Sequence, residues 1–494
     1  MLGLIFSYPI SISVSRSYFI IYHTVLYMDL LVYSFSANLT YMIKFDIKAR
    51  IKNGRGRAGV IQTPHGEIET PAFIPVGTKA TIKAVTTEEV RDQVGAHAIL
   101  ANTYHLYLQP GTEILRKAGG LGKFMNWSGP TFTDSGGFQA FSLAGGMQEH
   151  RSKIQNPEAV RGGNVDSRQL GGKIPPDSPR GFEGGIYSPE KDAEKQTLAK
   201  FDDDGVSFKS IIDGSSHRFT PERSIEIQHD IGADIIFAFD ECISPQESYE
   251  RQKEAVERTT RWAKRCLEAH GKEKGRRKEE GSERNDQDDG SALFGIVQGG
   301  RYEDLRKQSA REIGAMDFEG FGIGGSFDKD DIGTAVGWVA DVLPENKPRH
   351  LLGIGQPMDL ILGIENGIDT FDCVAPTRIA RNGSVYVSAG ASSGPMVSKK
   401  FGSTINLLNA QFREDFTPID NNCGCYTCKN YTKAYLAHLF RAKEMLAATL
   451  ASIHNLYFLV NLVKRARQAI IEGRFEEFKK GMQFEKLPYT IYIN

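Results

Sequence analysis

The chain is poor in cysteine and has almost no net charge. Six cysteines in 494 residues are too few for a disulfide framework, and this usage suits a reducing, cytoplasmic location. The 60 lysines and arginines nearly balance the 61 aspartates and glutamates, for a formal net charge of -1. A net charge so close to zero does not indicate binding of nucleic acid through an overall positive charge, so any such binding must use local basic patches. With 40% hydrophobic and 24% charged residues, the composition is ordinary for a soluble globular protein.

One long apolar run lies near the N-terminus, in residues 17–35. It contains His23 and Asp29, follows Arg16, and has no small-residue cleavage site. Globular sequence begins at Met42, which would itself serve as a start. We expect residues 1–41 to be a dispensable or wrongly included extension, with a membrane anchor as the alternative. We expect no membrane association in the rest of the chain.

From residue 219 onward, strand-like apolar runs alternate with amphipathic helical patterns. The pattern predicts strands at 233–239, 292–297, 318–323, 350–354 and 370–374, and helices at 249–270, 302–316, 330–343 and 358–367. This many alternating units in succession favour a (β/α)8 TIM barrel, an α/β fold with a parallel sheet, over an open sheet. We expect the catalytic barrel to occupy residues 42–422 and a zinc-binding helical subdomain to occupy residues 423–494.

Polar residues and glycines stand where the predicted barrel strands end. In a TIM barrel the chemistry takes place at the carboxyl ends of the strands, so these residues are site candidates before any motif is named. They are Asp240, Gln298, Gly324, Gly325, Gly355 and Asp372.

Two polar segments interrupt the barrel pattern, at residues 145–200 and 271–290. The first is rich in Gly, Pro, Lys and Glu, and the second is almost wholly polar and charged. Neither segment can bury enough apolar surface to offset its chain entropy, so we expect both to be mobile loops. A contact between the second segment and RNA is the alternative to simple solvation.

A compact metal-ligand pattern lies toward the C-terminus. Cys423, Cys425 and Cys428 fall within six residues, and His454 follows in an apolar-periodic stretch from 431 to 463. Three thiolates and one imidazole form a complete tetrahedral ligand set for Zn²⁺ and leave no open position, which indicates one structural ion per subunit. The alternative is a group of reduced, unliganded cysteines beside a histidine on a helix.

Two further motifs carry acidic and basic side chains. Residues 133–139 (TDSGGFQ) combine Asp134 and Ser135 with paired glycines that allow close approach to a flat ligand, although a tight structural turn is an equal reading. Residues 371–383 place Asp372 at a strand end and two arginines, Arg378 and Arg381, on the loop beyond. The arginines could pair with Asp372 or hold phosphates and base edges.

Taken together, these stretches resemble the queuine/tRNA-guanine transglycosylase family of bacterial type, from about residue 42 to 478. The motifs that carry the resemblance are 71–78 (PAFIPVGT), 102–111 (NTYHLYLQPG), 133–139, 220–229 (TPERSIEIQH), 238–242 (AFDEC), 294–300 (FGIVQGG), 371–383 and the cysteine–histidine set. The resemblance implies a pentosyltransferase that exchanges guanine at wobble position 34 of tRNA for a 7-deazaguanine. It also implies a homodimer, with tRNA bound at its anticodon loop.

The resemblance implies roles for individual residues. Asp372 corresponds to the nucleophile that forms a covalent ribosyl–aspartate, and Asp134 to the general acid/base. The base pocket is implied to comprise Asn102, Asp134, Ser135, Gly136, Gly137, Phe138, Asp240, Gln298 and Gly325. Capping of the next helix is the alternative for Asp240, and a packing role is the alternative for Gln298.

Two loops resemble RNA-contacting segments of the family. They comprise Gly353, Ile354, Gly355, Gln356, Pro357, Met358 and Asp359, and then Thr377, Arg378, Ile379, Ala380 and Arg381. Gln356 replaces the lysine usual in bacterial members, which removes one phosphate contact. Asp328 is a second departure, and it either contacts the incoming base or starts a helix. Cys242 is the residue type found in enzymes that accept preQ1, which favours that base.

Two other functions fit parts of the sequence. A non-catalytic tRNA-binding partner subunit would keep the zinc ligands but lose the catalytic carboxylates, whereas both Asp134 and Asp372 are present here. A barrel hydrolase acting on small glycosides would explain the two strand-end carboxylates but neither the cysteine cluster nor the arginine loop.

Overall fold

The computed structural model describes residues 43–139, 199–279, 290–324, 332–388 and 401–482. The N-terminal extension, most of the 145–200 segment, residues 280–289, Gly325 and Asp328 lie outside the described residues. The predictions made for them therefore stay predictions.

The described residues form sixteen strands arranged in four sheets. In chain order they are β1 (Lys44–Arg50), β2 (Arg57–Thr63), β3 (Gly66–Thr70), β4 (Ala72–Pro75), β5 (Ile99–Ala101), β6 (Thr131–Thr133), β7 (Ala199–Asp202), β8 (Gly205–Lys209), β9 (Ser216–Phe219), β10 (Ile235–Phe237), β11 (Ala292–Val297), β12 (Gly320–Ile323), β13 (Arg349–Leu351), β14 (Thr370–Cys373), β15 (Ser384–Val387) and β16 (Ser403–Asn406).

Helices alternate with the strands of the largest sheet and continue to the C-terminal region. They are α1 (Thr87–Glu89, extended by a π-helical turn, Val90–Val94), α2 (Thr103–Leu108), α3 (Thr112–Lys117), α4 (Leu121–Phe124), α5 (Pro221–Ile231), α6 (Tyr249–Glu279), α7 (Glu303–Gly314), α8 (Ile332–Ala340), α9 (Pro357–Glu365), α10 (Ala375–Arg381), α11 (Tyr426–Asn430), α12 (Lys433–Arg441), α13 (Met445–Ile471) and α14 (Phe475–Lys480).

The largest sheet is an eight-stranded parallel barrel. Its strand order is β4-β14-β13-β12-β11-β10-β6-β5, and the ring closes through a parallel bridge between Val76 and Leu100. The amide of Gly77 donates to the carbonyl of Leu100 at 2.7 Å across this seam. Strands buried on both faces consist of near-continuous apolar runs, as in β11, where all six residues are buried. The predicted (β/α)8 fold is confirmed.

A three-stranded antiparallel sheet, β1-β2-β3, covers the amino ends of the barrel strands. Ile61 and Ile68 of this sheet pack into the barrel interior beside Phe132 and Phe294. The contacts of these two isoleucines with the barrel are shielded from water. The opposite mouth, at the carboxyl ends of the strands, is left for chemistry.

The C-terminal helices pack against both the barrel and the β15–β16 hairpin. The 27-residue helix α13 is long and apolar enough to cross a membrane by length and composition, but 72% of its most apolar window is buried inside the protein. It contacts β4, α9 and α10, so it is a core helix that joins the C-terminal region to the barrel. The proposed domain division at residue 423 stays a prediction.

Several predicted elements differ from those observed. Helix α6 continues to Glu279 rather than ending at residue 270, so the first part of the predicted 271–290 loop is helical. Residues 199 and 200 belong to β7 and not to an insertion. The apolar stretch 431–463 is divided between α12 and α13 by Lys443, which has a φ of 58°.

Candidate active site

Asp134 follows β6 at the mouth of the barrel, and its carboxylate is held by backbone and side-chain donors. The amides of Thr103 and Gly136 donate to Oδ1 at 2.9 and 3.2 Å, and the side-chain amide of Asn102 donates to Oδ2. Burial raises the pKa of Asp134 to about 7, and the nearby charge of Asp372 contributes to the rise. Near neutral pH this carboxyl group can therefore both accept and donate a proton.

Asn102 is oriented by the start of helix α2. As the N-cap residue, it accepts a hydrogen bond from the amide of His105 at 3.0 Å through its side-chain oxygen. This leaves its side-chain nitrogen directed at Asp134. Asn102 and Asp134, which the resemblance assigns to the same base pocket, are therefore in direct contact.

Asp240 follows β10 and lies between two other predicted pocket residues. Ser135 Oγ donates to its Oδ1 at 3.1 Å, and Gln298 Nε2 donates to its Oδ2 at 2.6 Å. Burial raises the pKa of Asp240 to about 6, while these two hydrogen bonds oppose the rise. The alternative role as a helix cap is wrong, because the next helix begins only at Tyr249. Gln298 likewise makes a specific polar contact and does not only pack.

Two glycines bring the backbone close to Asp134 and Asp240. Gly136 has a φ of 79°, which favours glycine, and a Cβ there would lie 2.9 Å from the ring of Phe219. A Cβ on Gly137 would lie 2.9 Å from the carbonyl oxygen of Asp240. Phe138 follows with 38% of its surface exposed, so its ring is available to a flat ligand.

Asp372, the predicted nucleophile, lies at the end of β14 and is held on one oxygen. The amide of Gly353 donates to Oδ1 at 2.8 Å, and His350 Nε2 lies 3.1 Å from the same atom. Within the described part of the chain, its carboxylate is bonded to these groups and to neither of the arginines Arg378 and Arg381. The predicted alternative of an Asp–Arg pair is therefore not observed.

Two buried residues at the site were missed by the sequence analysis. His350 was assigned only as the start of a strand, yet it contacts Asp372 from β13. Arg306 on α7 donates to the carbonyl oxygens of Gly300 and Gly324 at 2.8 and 2.6 Å, and thereby holds the loops after β11 and β12. The sequence did offer a sign of both residues, because a histidine and an arginine stand at positions where the pattern of a buried strand or helix face predicts apolar side chains.

The two predicted RNA-contacting segments occupy neighbouring positions at the mouth. Residues 353–356 lead into α9, where Gln356 is the N-cap residue without a side-chain capping bond. Pro357 and Asp359 are buried, so their side chains do not face solvent. The sequence analysis did not anticipate this difference within one segment.

Helix α10 holds the second segment that the sequence predicts to contact RNA, and it forms part of a basic surface. Arg378 is exposed, and Arg381 donates to the carbonyl of Thr377 at 2.9 Å. Burial lowers the pKa of Lys83, and the nearby charges of Arg381 and Arg378 lower it further. Four cations, including Lys79, therefore gather beside the strand that carries Asp372 and form the local basic patch that net charge alone does not reveal.

The cysteine–histidine set converges as the sequence predicted. The ligand atoms of Cys423, Cys425, Cys428 and His454 all lie within 4.8 Å of one another. The three sulfurs face Nδ1 of His454 at 3.7, 3.4 and 3.3 Å. Nε2 of His454 lies 2.8 Å from the carbonyl oxygen of Tyr386, which orients the ring and leaves Nδ1 for a metal. These residues fit a tetrahedral ion with no open position.

Comparison with known proteins identifies the family. The family model described as queuine tRNA-ribosyltransferase matches residues 52–166 and 188–486. A queuine tRNA-ribosyltransferase from Thermoanaerobacter sp. (strain X514) is 44% identical over 450 residues, which cover 90% of this chain and 98% of the relative. A putative queuine tRNA-ribosyltransferase from Archaeoglobus fulgidus is 44% identical over 438 residues, with coverages of 88% and 98%. One from Streptococcus gordonii is 42% identical over 441 residues, with coverages of 89% and 95%. The chain therefore belongs to the queuine tRNA-ribosyltransferase family, and it is a pentosyltransferase.

Proposed function

We propose that this chain is a tRNA-guanine transglycosylase of queuosine synthesis. It replaces guanine at wobble position 34 of GUN-anticodon tRNAs with a 7-deazaguanine, preQ1. The observation that carries the proposal is the convergence of Asp134, Asp240 and Asp372 at the carboxyl ends of three barrel strands, in a member of this family. We assign separate roles to the three carboxylates because their surroundings differ.

In this proposal Asp372 attacks C1′ of the target nucleotide. Cleavage of an N-glycosidic bond develops positive charge at C1′, which a carboxylate stabilises and then traps as an ester. The incoming base attacks the same carbon in a second displacement, so the configuration at C1′ is retained overall. The family assignment and the position of Asp372 near the carboxyl end of β14 support this role.

Asp134 supplies and removes the proton that the bases exchange. A general acid/base is most effective when its pKa lies near the working pH, and burial raises the pKa of Asp134 to about 7. The protonated form can assist departure of guanine, and the resulting carboxylate can take a proton from the replacement base. One group thus serves both half-reactions.

Asp240 and Gln298 read the edge of the base. With a pKa of about 6, Asp240 is mostly ionised at neutral pH and accepts from the N1–H and 2-amino groups of a guanine-like ring. Gln298 has a second amide hydrogen beyond the one donated to Asp240, and among the described residues no group accepts it, so it can serve O6 of the base. Ser135 and Asn102 line the pocket, Phe138 stacks on the ring, and the Gly325 backbone completes the O6 side.

The anticodon loop binds across the basic surface of α10 and the loop before α9. Guanidinium groups at Arg378 and Arg381 suit phosphates and base edges, and Lys83 adds a cation beside them. The target base must leave the anticodon stack to enter the pocket. The side chain of Asp359 is buried, so in this proposal it supports the RNA-binding segment from inside the protein and does not contact the RNA itself.

A structural Zn²⁺ held by Cys423, Cys425, Cys428 and His454 stabilises the C-terminal helices, and a cytoplasmic homodimer forms through this region. Large apolar side chains are exposed nearby, with 74% of Phe416 and 87% of Met445 accessible. We expect chelation to shift the protein from dimer to monomer in sedimentation velocity. A chelated protein that remains dimeric and active would contradict this assignment.

The decisive experiment measures incorporation of radiolabelled guanine into tRNA. We expect the full chain to incorporate the label and Asp372→Ala to abolish incorporation. The exposed carboxylate of Asp341, replaced in Asp341→Ala, provides a control that retains activity. Denaturing gels with an anticodon stem-loop and a slow-reacting base analogue should show a protein–RNA adduct at position 372 in the wild type. Incorporation by Asp372→Ala would exclude the proposed mechanism.

The identity of the incoming base is tested by competition. Unlabelled guanine, preQ1 and queuine are added separately to the exchange reaction. We expect preQ1 to compete most strongly, and a stronger effect of queuine would redirect the assignment of the base without changing the reaction class.

A further inference from the structure

His350 is a buried polar side chain inside an otherwise apolar part of the barrel. It lies on β13 and is fully inaccessible to solvent. Its ring centroid is 5.6 Å from that of Phe132 and 5.2 Å from that of Phe237. Placing an imidazole among aromatic rings is unfavourable unless both ring nitrogens find partners, and the structure provides one on each side.

The two partners determine which nitrogen carries the hydrogen. Nε2 lies 3.1 Å from Asp372 Oδ1, and Nδ1 lies 2.9 Å from Thr370 Oγ1. An ionised carboxylate only accepts hydrogen bonds, so Nε2 must be the donor toward Asp372. In the neutral ring Nδ1 then accepts the hydroxyl hydrogen of Thr370. The result is a directed chain from Thr370 through His350 to Asp372.

This chain of hydrogen bonds makes the two oxygens of Asp372 different from each other. Oδ1 receives both the imidazole N–H and the amide of Gly353, which lies 2.8 Å away. Among the residues that the structure describes, none donates a hydrogen bond to Oδ2. The carboxylate is therefore held by one oxygen while the other is left to react.

We infer that His350 is a positioning residue that aims Oδ2 of Asp372 at C1′ and stabilises Oδ1 throughout the exchange. The inference rests on the proposed role of Asp372. In the first displacement the Oδ2–C1′ bond forms, the C1′–N9 bond breaks, and its electron pair leaves with guanine, which Asp134 protonates. In the second displacement a C1′–N9 bond to the incoming base forms while the Oδ2–C1′ bond breaks, and Asp134 takes the proton from that base nitrogen. The electron pair of the broken bond returns to a carboxylate whose Oδ1 already accepts two hydrogen bonds.

Hydrogen bonds to only one carboxylate oxygen are useful because Asp372 is the nucleophile in the first displacement and the leaving group in the second. Donors on Oδ2 would have to be removed before attack, whereas donors on Oδ1 remain in place in carboxylate and ester alike. Preorganised donors need no rearrangement during the reaction, and small losses of alignment cost large factors in rate.

The test compares His350→Phe with His350→Gln in the full chain. Phenylalanine keeps the ring shape but removes the donor, while the side-chain nitrogen of glutamine can reach the place of Nε2. For His350→Phe we expect a fall of about 100-fold in kcat and in the single-turnover rate of adduct formation, with KM for tRNA and guanine changed less than about threefold. His350→Gln should recover to within about tenfold of wild type.

Thr370→Val keeps the test independent of any folding defect in the histidine variants. It removes the hydroxyl that orients the imidazole, and we expect a several-fold fall in adduct formation with unchanged KM. Wild-type kcat in a folded His350→Phe protein, or a rise in KM without a fall in kcat, would overturn the inference. If instead Asp372→Ala still exchanges guanine, the proposed function fails first, so the two failures are distinguishable.

Discussion

The side-chain amide of Asn455 donates a hydrogen bond of 3.0 Å to the backbone carbonyl of Pro376, near the start of helix α10. The same amide donates to the carbonyl of Ser384 at 3.0 Å, and its oxygen accepts from the amide of Tyr386 at 3.0 Å. Asn455 is adjacent to His454 on α13. The helix that provides the histidine of the cysteine–histidine set therefore also holds the helix that carries the two arginines.

We expect Asn455→Ala to weaken tRNA binding more than base binding. Truncation removes three hydrogen bonds to backbone groups, of which those to Pro376 and Tyr386 are buried, and frees the start of α10. Loss of a buried hydrogen-bond partner costs about 1–3 kcal/mol. In exchange kinetics, KM for tRNA should rise by about tenfold or more while KM for guanine stays within about twofold. Gln468→Ala, an exposed change on the same helix, is the matched control. An unchanged KM for tRNA would show that α10 is held by other contacts.

Loss of one cysteine of the cluster should remove the metal. For Cys428→Ser we expect the zinc content to fall from about one ion per chain to near zero and Tm to drop, because the ligand set is complete only with all four donors. Cys266→Ser changes a buried cysteine outside the cluster and should keep its zinc. Metal analysis and thermal denaturation measure both effects. A full complement of zinc in Cys428→Ser would contradict the ligand assignment.

Stability should depend on pH through Asp134. Its pKa is raised by burial from 3.8 to about 7, so its stabilising contribution is complete below about pH 4 and is lost as the pH rises through 7. Between pH 5 and pH 8 the wild type should lose about 2–3 kcal/mol of unfolding free energy that Asp134→Asn does not lose. Urea denaturation of both proteins at the two pH values measures the difference. Parallel pH profiles would indicate that the carboxyl group titrates normally.

The buried ion pair between Arg57 and Asp369 should contribute strongly to the stability of the barrel at the amino ends of its strands. The guanidinium donates to both carboxylate oxygens at 2.9 and 2.7 Å, and both side chains are inaccessible to solvent. Arg57→Met removes the guanidinium partner of the buried Asp369 carboxylate, which keeps only weaker support such as the amide of Arg349, and should cost about 3–5 kcal/mol. Arg55→Met breaks the exposed pair with Asp341 and should cost less than about 1 kcal/mol. Denaturant titrations measure the free energy of unfolding of both variants. Similar losses in the two would show that burial does not make the Arg57–Asp369 pair more important than the exposed pair.

The barrel and most of its strands were predictable from local pattern. Strand β11 was predicted with its observed limits, because a run of apolar residues between polar turns is typical of a strand buried on both faces. Helix α6 was predicted too short because its polar end was taken as a loop. Glu, Lys and Arg are good helix formers, so a helix can continue beyond the part that packs on the barrel.

The sequence by itself determined the alternation that makes a barrel, the four cysteine and histidine residues that could hold a metal ion, and the acidic residues at strand ends, since each depends on residue type and spacing along the chain. Only the tertiary structure decided which oxygen of Asp372 is held and that His350 holds it, because those two residues are 22 positions apart on neighbouring strands. The tertiary structure also decided that Asn455 braces α10 and that burial raises the pKa of Asp134. Hydrogen-bond direction and desolvation depend on neighbours brought together by folding, and no periodicity in the chain records them.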